Sequence, residues 1–318
     1  MIIVCGKYLR LFVHHDDVLE KGKKMMSVIK TPCLDKEQKL QAEALIKEVQ
    51  TFDGTHRIPY LSNNLNFDQA MPAFFLAYEK NQLVGLLTVY ADEPDEAELA
   101  IMVHPNYRRL GYAKELFHVF RETMQEYQLS FTVMSERAFL AKHSDVLANL
   151  GMTLDDDFEY WLSRQRKAYL LEKRDDLSVI KASREHLEAI ADFQAKAFGD
   201  PYEVALRYAK EALVDETEKL YIVMKDDKVV ASCTVDFSTT YNYLYGLVVA
   251  EGYRGQGIGT YFMKVLVNSL LAENEKDFQI AVESDNLAAK RLYERVGFEE
   301  QTQVVYAKVT DASKLWEI

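Results

Sequence analysis

The sequence predicts an α/β (α+β) protein built from two tandem domains, each with a meander of strands followed by alternating helices and strands. At about 150 residues per domain, the length of 318 residues favours two domains. Hydrophobic residues make up 48% and charged residues 28%, which is typical of a folded globular chain. The decisive observation is an internal repeat, because VHPNYRRLGYAKELF, beginning at Val103, resembles VAEGYRGQGIGTYFM, beginning at Val249.

The repeat has an offset of 146 residues, which also aligns residues 74–89 with residues 220–235 and Gly151 with Gly297. The alignment needs no gap between these points, and one repeat of this length predicts a pair of domains, not a solenoid. We therefore predict a first domain over residues 1–168 and a second over residues 177–318. The charged segment 169–176 is predicted to be a linker, either extended or helical.

The second copy gives the clearer pattern of elements. Residues 184–198 have apolar residues at helical spacing, and Asp200-Pro201 predicts a second helix with Asp as its cap and Pro at its first position. Strands are predicted on either side of a turn at Asp226-Asp227, and the acidic run 215–218 is predicted to be a solvated turn. The predicted strands are residues 177–182, 220–224, 228–237, 241–249, 278–282 and 304–309.

The remaining helices of the second copy are predicted at residues 258–272 and 286–296, the latter closed by Gly297. The first copy repeats the pattern from Asp35 to Arg164, with a helix over residues 36–49 and a polar loop over residues 62–68. Residues 1–24 have no counterpart and are predicted to add a hairpin or a strand.

Charge and cysteine content exclude several classes of function. With 38 Lys and Arg against 50 Asp and Glu, the net charge is −12, which disfavours a nucleic-acid partner. The 3 widely spaced cysteines favour reduced thiols in a cytoplasmic protein, without a disulfide framework or a metal site. No apolar run reaches the roughly 18 residues that a membrane helix needs, and no signal peptide is expected, so no membrane partner is predicted.

A glycine-rich loop, RGQGIG, lies between an apolar strand and an amphipathic helix. The unpaired N–H groups and the positive dipole end of a helix N-terminus bind phosphate oxygens, and glycines let the backbone approach closely. The loop follows the third strand of a meander and lacks the Lys-Ser/Thr of a P-loop, which disfavours dinucleotide and nucleoside-triphosphate binding. The alternative is a structural turn.

This loop, together with NLAAKRLYERVGF some 30 residues later, resembles the GNAT superfamily of acyl-CoA-dependent N-acetyltransferases, as a tandem member. The resemblance implies mixed, mostly antiparallel sheets flanked by helices. It also implies that Tyr293 protonates the leaving thiolate and that the N–H of Val248 or its neighbour faces the thioester carbonyl. The residues implied to bind acetyl-CoA in this copy are Leu247, Val248, Val249, Arg254, Gly255, Gln256, Gly257, Ile258, Gly259 and Asn286.

The first copy keeps only part of this pattern. Arg108, Gly111 and Ala113 preserve its loop, so this copy is expected to retain acetyl-CoA binding at most. The same offset puts Leu140 where Asn286 stands and Leu147 where Tyr293 stands, and a leucine donates no proton. Chemistry is therefore predicted in the second copy, with the first copy degenerate.

The general base is left open by the sequence. Asp236 and Glu283 end two strands of the second copy, and a water relay is an equal alternative. In the first copy, Glu98 occupies the strand before the loop. Residues 241, 243 and 245 are tyrosines that share one strand face, either as packing residues or as a lining for an aromatic or cationic acceptor.

The sequence thus predicts an N-acetyltransferase that transfers an acetyl group from acetyl-CoA to a primary amine on a small molecule or a peptide. One alternative is a non-catalytic acyl-CoA-binding or regulatory protein. Another is an aminoacyl-tRNA-dependent transferase, which the acidic charge and the intact second loop disfavour.

Overall fold

The computed structural model describes residues 26–311, so the prediction for residues 1–24 lies outside the described residues. The first copy forms a sheet-and-helix unit that begins with a short strand and ends with a long one. Its elements are β1 (Ser27–Thr31), α1 (Lys36–Asp53), β2 (Phe74–Glu79), β3 (Gln82–Tyr90), β4 (Glu96–Val103), α2 (Tyr112–Met124), β5 (Ser130–Glu136), α3 (Arg137–Lys142), α4 (Asp145–Asn149) and β6 (Met152–Arg164).

The second copy repeats this order with two differences: an additional helix follows its first helix, and a single helix stands where the first copy has α3 and α4. Its elements are β7 (Ser178–Lys181), α5 (Leu187–Phe198), α6 (Tyr202–Val214), β8 (Glu218–Lys225), β9 (Lys228–Asp236), β10 (Tyr241–Val249), α7 (Ile258–Glu273), β11 (Asp277–Glu283), α8 (Leu287–Arg295) and β12 (Glu299–Val309). The predicted fold class is confirmed: a mostly antiparallel mixed sheet is flanked by helices, in two tandem units.

Local sequence signals account for many of the element ends. Asp226 and Asp227 both have positive φ, 49° and 59°, as a two-residue hairpin turn with the twist of its strands requires. One prediction is wrong. Pro201 itself is the N-cap of α6 and Asp200 is no side-chain cap, because the fixed φ of proline already sets the entry of the chain. Of the two forms that the sequence left open for the linker 169–176, the structure has no helix there.

The two copies share one sheet by exchanging their last strands. In the described residues the strand order is β1-β2-β3-β4-β5-β12-β6-β11-β10-β9-β8-β7. β6 of the first copy therefore pairs with β11 of the second, and β12 of the second pairs with β5 of the first. The division of the chain at residues 168 and 177 stays a prediction, since this continuous ladder joins the halves.

In each copy the helix that follows the glycine loop packs on one face of the sheet. Phe262 of α7 shares one core cluster with Tyr221 and Val223 of β8, whereas the alternate residues Leu220 and Ile222 belong to the cluster with α5 and α6. The same alternation in the first copy separates α2 from α1. The sheet therefore has a loop-helix face and an opposite face, which we call the α1/α5/α6 face.

Both copies contain a pair of parallel strands that separate part of the way along. β4 and β5 pair only as far as Leu99 and Val133, and β10 and β11 only as far as Leu244 and Ile280. The last residues of β4 and β10 therefore have no ladder partner on that side among the described residues. Each separation opens a gap in the sheet next to a glycine loop.

A bulge distinguishes the two separations. The pairing of β9 with β10 skips from Tyr245 to Val248, with Gly246 at φ 60°, whereas the pairing of β3 with β4 continues without a shift. The ungapped offset is thus wrong by one residue within this strand: Glu98 matches Tyr243, Ala100 matches Tyr245, and Gly246 has no counterpart. The loop before β10 is one residue shorter and hides the insertion in the sequence.

Candidate active site

The loop before α7 presents open backbone. Gly255 and Gly257 have positive φ, 77° and 74°, and a side chain at Gly255 would meet no atom within 4 Å. α7 has no side-chain cap, while its first residue, Ile258, is buried in the core and fixes the helix start. The N–H groups of the first turn are therefore available to an anion, and the loop fits a pyrophosphate.

Two guanidinium groups adjoin this loop. Arg254 is exposed and its Nε donates to the Val249 carbonyl at 3.0 Å, which joins the loop to the end of β10. Arg174, from the linker, donates from Nη1 to the Gln256 carbonyl at 2.9 Å and is held by Asp176. Arg174 is not predictable from the sequence, because no local pattern in the linker shows which loop its side chain reaches.

Glycine is needed at position 259 for a different reason than in the loop, namely close packing. A Cβ at this position would lie 2.8 Å from Leu292 Cδ1 and 3.5 Å from Val249 Cγ2. The glycine thus lets α7 pack closely on α8 and β10. Its amide is still in the first turn of α7, so its predicted contact with acetyl-CoA stays a prediction.

The end of β10 lies alongside the gap in the sheet. Leu247, Val248 and Val249 are partly buried and come after the last residue that pairs with β11. Gly246, which precedes them, is exposed, and a side chain there would meet no atom within 4 Å. A bulge beside a gap places free backbone groups where an extended ligand can add to the strand.

Tyr293 lies in α8, where it is 6% exposed and joins the core that contains Cys233 and Phe298. Burial raises its pKa, so the hydroxyl keeps its proton at neutral pH. Asn286 caps the same helix by accepting from the Ala289 amide at 3.1 Å, as predicted.

The first copy has the same loop in a different environment. Arg108 repeats the bond of Arg254 by donating from Nε to the Val103 carbonyl, but its outer nitrogens bind both oxygens of buried Asp53. Arg109 takes the positive φ of Gly255, at 62°. The Met26 side chain lies 3.0 Å from where a Cβ of Gly111 would be.

Other differences follow in this copy. Ala113, the second residue of α2, is exposed, and Leu140 lies inside α3 and caps no helix. Leu147 is in the short helix α4 and offers no polar atom. The first copy therefore keeps the backbone course of the loop and lacks the side chains of the second motif.

A cavity of about 510 Å³ lies between the copies on the α1/α5/α6 face, and Gly246 is among its lining residues. This volume is in the range of small-molecule sites, roughly 300–1,000 Å³. Both copies supply its walls. Its carboxylates are Asp92, Glu98, Glu159, Asp200, Glu218 and Asp236; its large aromatic residues are Tyr60, Tyr90, Phe198, Tyr208, Tyr243, Tyr245, Tyr306 and Trp161.

Two carboxyl groups lie at the bulge end of this cavity. Glu218 accepts from the Tyr245 hydroxyl at 2.8 Å, and burial raises its pKa to about 7. Asp236 accepts from the Ser238 amide at 2.6 Å and from its hydroxyl at 2.8 Å, and burial raises its pKa too. We call Glu218 and Asp236 the second-copy acidic pair.

Glu218 corrects the prediction of a solvated turn, since it is 7% exposed and begins β8. Glu218 gives no sequence signal of its burial because it closes an acidic run whose other members lie at the surface. Glu283 is exposed at the end of β11 and is not among the cavity residues. Tyr243 and Tyr245 line the cavity, and Tyr243 also stacks on Trp161 of the first copy, so packing is observed and the role as a lining for an acceptor stays a prediction.

Glu98 faces the same cavity from the first copy. Burial raises its pKa to about 7, against the lowering effect of Arg57. In the described part of the chain, no cluster of His, Cys, Asp and Glu has the arrangement of a metal site. Among residues 26–311, no helix has the length and apolarity to cross a membrane.

Comparisons with known proteins agree with this geometry. The sequence profile described as the Acetyltransferase (GNAT) family matches residues 40–141 and 187–298, one segment in each copy and more than half of the chain in total. A curated relative, N-alpha-acetyltransferase 30 of Schizosaccharomyces pombe, is 25% identical over 128 residues, which cover 38% of this chain and 83% of that protein.

Solved structures share the two-copy architecture. A GCN5-related N-acetyltransferase from Sphaerobacter thermophilus superposes with a TM-score of 0.64 at 15% identity, covering 89% of this chain and 95% of that one. A tandem GNAT protein from the clavulanic acid biosynthesis pathway gives 0.63 at 17% identity, covering 89% and 98%. At these identities the likeness concerns the fold.

Proposed function

Since the chain belongs to the acetyltransferase (GNAT) family and is an acyltransferase, we propose that it transfers an acetyl group from acetyl-CoA to a primary amine, in its second copy. The carrying observation is the position of Gly246. It lies where the gap beside β10 meets the cavity between the copies, so one bulge adjoins both the predicted acetyl-CoA track and an acceptor pocket. We propose the cytoplasm as the place of this reaction.

Binding of the pyrophosphate is assigned to the loop at Gly255 and Gly257 and the first turn of α7. The space over Gly255 is open, α7 has no side-chain cap, and Arg254 and Arg174 add positive charge. Acetyl-CoA supplies the activated acyl group when bound. Leu247, Val248 and Val249 offer backbone groups to its extended arm along the gap.

The bulge has a direct chemical use. As an amine nitrogen forms a bond to the thioester carbon, charge develops on the carbonyl oxygen, and a fixed backbone N–H stabilises that charge. The bulge frees backbone of residues 246 and 247 from pairing with β9, and the gap frees it from β11. No such break occurs in β4, which favours chemistry in the second copy alone.

The amine must lose its proton before it attacks, and we assign that proton to Glu218, with Asp236 as its neighbour. A base works best when its pKa is close to the working pH, and the pKa of Glu218 is about 7. Its hydrogen bond from Tyr245 places it one residue from the bulge. Glu283, exposed and away from the cavity, keeps its role only as a sequence prediction.

Tyr293 is assigned the donation of a proton to the leaving thiolate. As the carbon–sulfur bond breaks, the electron pair goes to sulfur, and the tyrosine hydroxyl donates its proton to the thiolate. Its raised pKa keeps that proton in place until it is needed. Tyr293 lies in the core on the loop-helix face and Glu218 lines the cavity on the opposite face, so acid and base approach the reacting carbon from different sides.

The test of this function is a thiol-release assay with acetyl-CoA and a mixture of amines, with the product identified by its acetyl group in mass spectrometry. We expect amine-dependent release of coenzyme A and an acetylated amine. Acetyl-CoA binding without release, for any amine, would instead support the non-catalytic acyl-CoA-binding alternative.

A further inference from the structure

The cavity between the copies has carboxylates at both ends. Glu218 and Asp236 lie at the bulge, as described. Asp92, Glu98 and Glu159 approach it from the first copy, and we call them the first-copy acidic group. Each end therefore offers negative charge to a ligand, and the two ends belong to different copies.

The carboxylates of the first-copy acidic group can accept further hydrogen bonds from a ligand. Asp92 accepts from the Tyr208 hydroxyl at 3.0 Å and Glu159 from the Trp161 indole at 2.9 Å, which orients both carboxylates. The carboxylate of Glu98 makes no hydrogen bond with any side chain or backbone group of the described residues, although its backbone pairs within the sheet. A half-buried carboxylate without a donor is costly, and an ammonium ion would supply donors and charge together.

Of the described residues that line the cavity, Arg57 is the only one with a permanently cationic side chain. Its Nη2 contacts Met134 Sδ at 3.0 Å and its guanidinium lies 5.7 Å from the centre of the Trp161 ring. One guanidinium does not balance three carboxylates at this end, so the excess is negative. The alternative ligand that Arg57 suggests is one with a carboxylate of its own.

Aromatic rings line the path between the two ends. Tyr243 stacks on Trp161 at 5.5 Å and on Tyr245 at 6.1 Å between ring centres. These residues come from β6 and β10, which the strand exchange brings to neighbouring positions around β11. The face of such rings attracts cations and also packs well against methylene groups.

From these observations we propose that the acceptor is a small aliphatic amine with at least two cationic nitrogens. Its reacting nitrogen lies at the second-copy acidic pair, beside Gly246, and its second ammonium lies among Asp92, Glu98 and Glu159. The first copy is then the binding wall for the distal charge. This inference rests on the proposed function and specifies its acceptor.

Protonation supports the same arrangement. The pKa values of Glu98 and Glu218 are each raised by burial to about 7. A nearby ammonium favours the charged carboxylate and lowers both pKa values, so binding of the diamine at neutral pH releases protons. Calorimetry in two buffers of different ionisation enthalpy measures that release without any turnover.

The experiment compares linear alkane diamines of increasing length with the monoamine and the aminocarboxylate of equal length. We expect the best diamine to have a kcat/KM about tenfold or more above its matched monoamine, since a desolvated charge pair contributes at least that factor. Glu98→Gln should remove this advantage, with the loss appearing in the KM for the diamine. Glu96→Gln, on the same strand but exposed and outside the cavity, is the matched control.

The possible outcomes separate the two proposals. Equal use of diamine and monoamine, or a Glu98→Gln variant that keeps the full diamine preference, overturns the inference while acetyl transfer stands. Preference for the aminocarboxylate or for a peptide amine also overturns it. Diamine binding with proton release that depends on Glu98, but without coenzyme A release, supports the ligand class and overturns the proposed function.

Discussion

The two glycine loops of this protein follow the same backbone course and differ in what surrounds them. In the second copy, the space over Gly255 is open and Arg254 reaches solvent. In the first copy, Asp53 holds Arg108 in a bidentate pair, and Met26 lies against Gly111. A loop motif therefore predicts a conformation, while its neighbours decide whether an anion has access.

The strands before the loops differ in the same direction. Gly246 breaks the regular ladder of β10, whereas β4 stays regular through Ala100. The first copy has Pro72 at the position of Glu218 and Leu147 at the position of Tyr293. It thus has no counterpart of Glu218, Tyr293 or the bulge, while its Glu98 faces the shared cavity. Under the proposed function, the first copy contributes a wall of the acceptor pocket and not the chemistry.

The largest expected effect comes from placing one carboxylate in each loop. Gly257→Glu should abolish acetyl-CoA binding and turnover, because a side chain enters the anion site and repels phosphate. Gly111→Glu should leave most turnover intact. Binding of acetyl-CoA by calorimetry and thiol release measure both variants.

Both substitutions put a non-glycine residue at positive φ, so each variant controls for the backbone strain in the other. Gly111→Glu should lower the Tm further, because the new side chain also meets Met26. Equal loss of activity in the two folded variants would contradict the assignment of chemistry to the second copy.

The next effect concerns the base. Below pH about 7 the raised pKa of Glu218 leaves the carboxyl protonated and unable to accept the amine proton, so kcat should rise as pH increases through that value. Glu218→Gln should lower kcat by about a hundredfold, the scale of general base catalysis, and flatten this limb of the profile. Glu216→Gln, an exposed neighbour in the same segment, should leave the profile unchanged. A rising limb that persists in Glu218→Gln would assign the proton transfer to another group.

Much of the second copy follows from local sequence. The hairpin at Asp226-Asp227, the cap at Asn286 and strand β10 are each set by a short pattern, and the structure has them as predicted. The strand exchange does not follow from local sequence. β6 and β12 end their copies with equivalent patterns, and no nearby residue indicates which strand each will pair with.

The site was predictable only in part for the same reason. The loop and Asn286 carry their geometry in consecutive residues. Glu218 is buried by elements that are distant in the sequence. Its acidic neighbours alone therefore suggest a surface residue. The bulge did leave a sign, since an isolated glycine within a strand pattern indicates a bulge, but the compensating short loop made the repeat appear regular.

A smaller effect is expected for the acid. Tyr293→Phe removes one oxygen from a buried ring and keeps the packing with Phe298. We expect kcat to fall by at least about tenfold, with little change in the affinity for acetyl-CoA. Tyr221→Phe removes a hydroxyl from the same core, one that contacts Glu273, and should keep kcat. An equal loss of rate and affinity in Tyr293→Phe would indicate a binding role instead.

The smallest expected effect tests the bulge, which the first copy lacks. In Gly246→Ala the new Cβ meets no atom within 4 Å. The free energy of unfolding should therefore fall only by the cost of the left-handed backbone, about 1 kcal/mol. Relaxation of that strain would move the amides of the bulge. We expect a severalfold fall in kcat from that displacement. Gly54→Ala, at φ 69° after α1 of the first copy, carries the same strain with only an ordinary contact to Lys142, so it should lose the same stability and keep kcat. Parallel denaturant titrations and initial rates separate the two costs, and a Gly246→Ala variant that loses stability but no activity would mean that the bulge shapes the strand without serving the reaction.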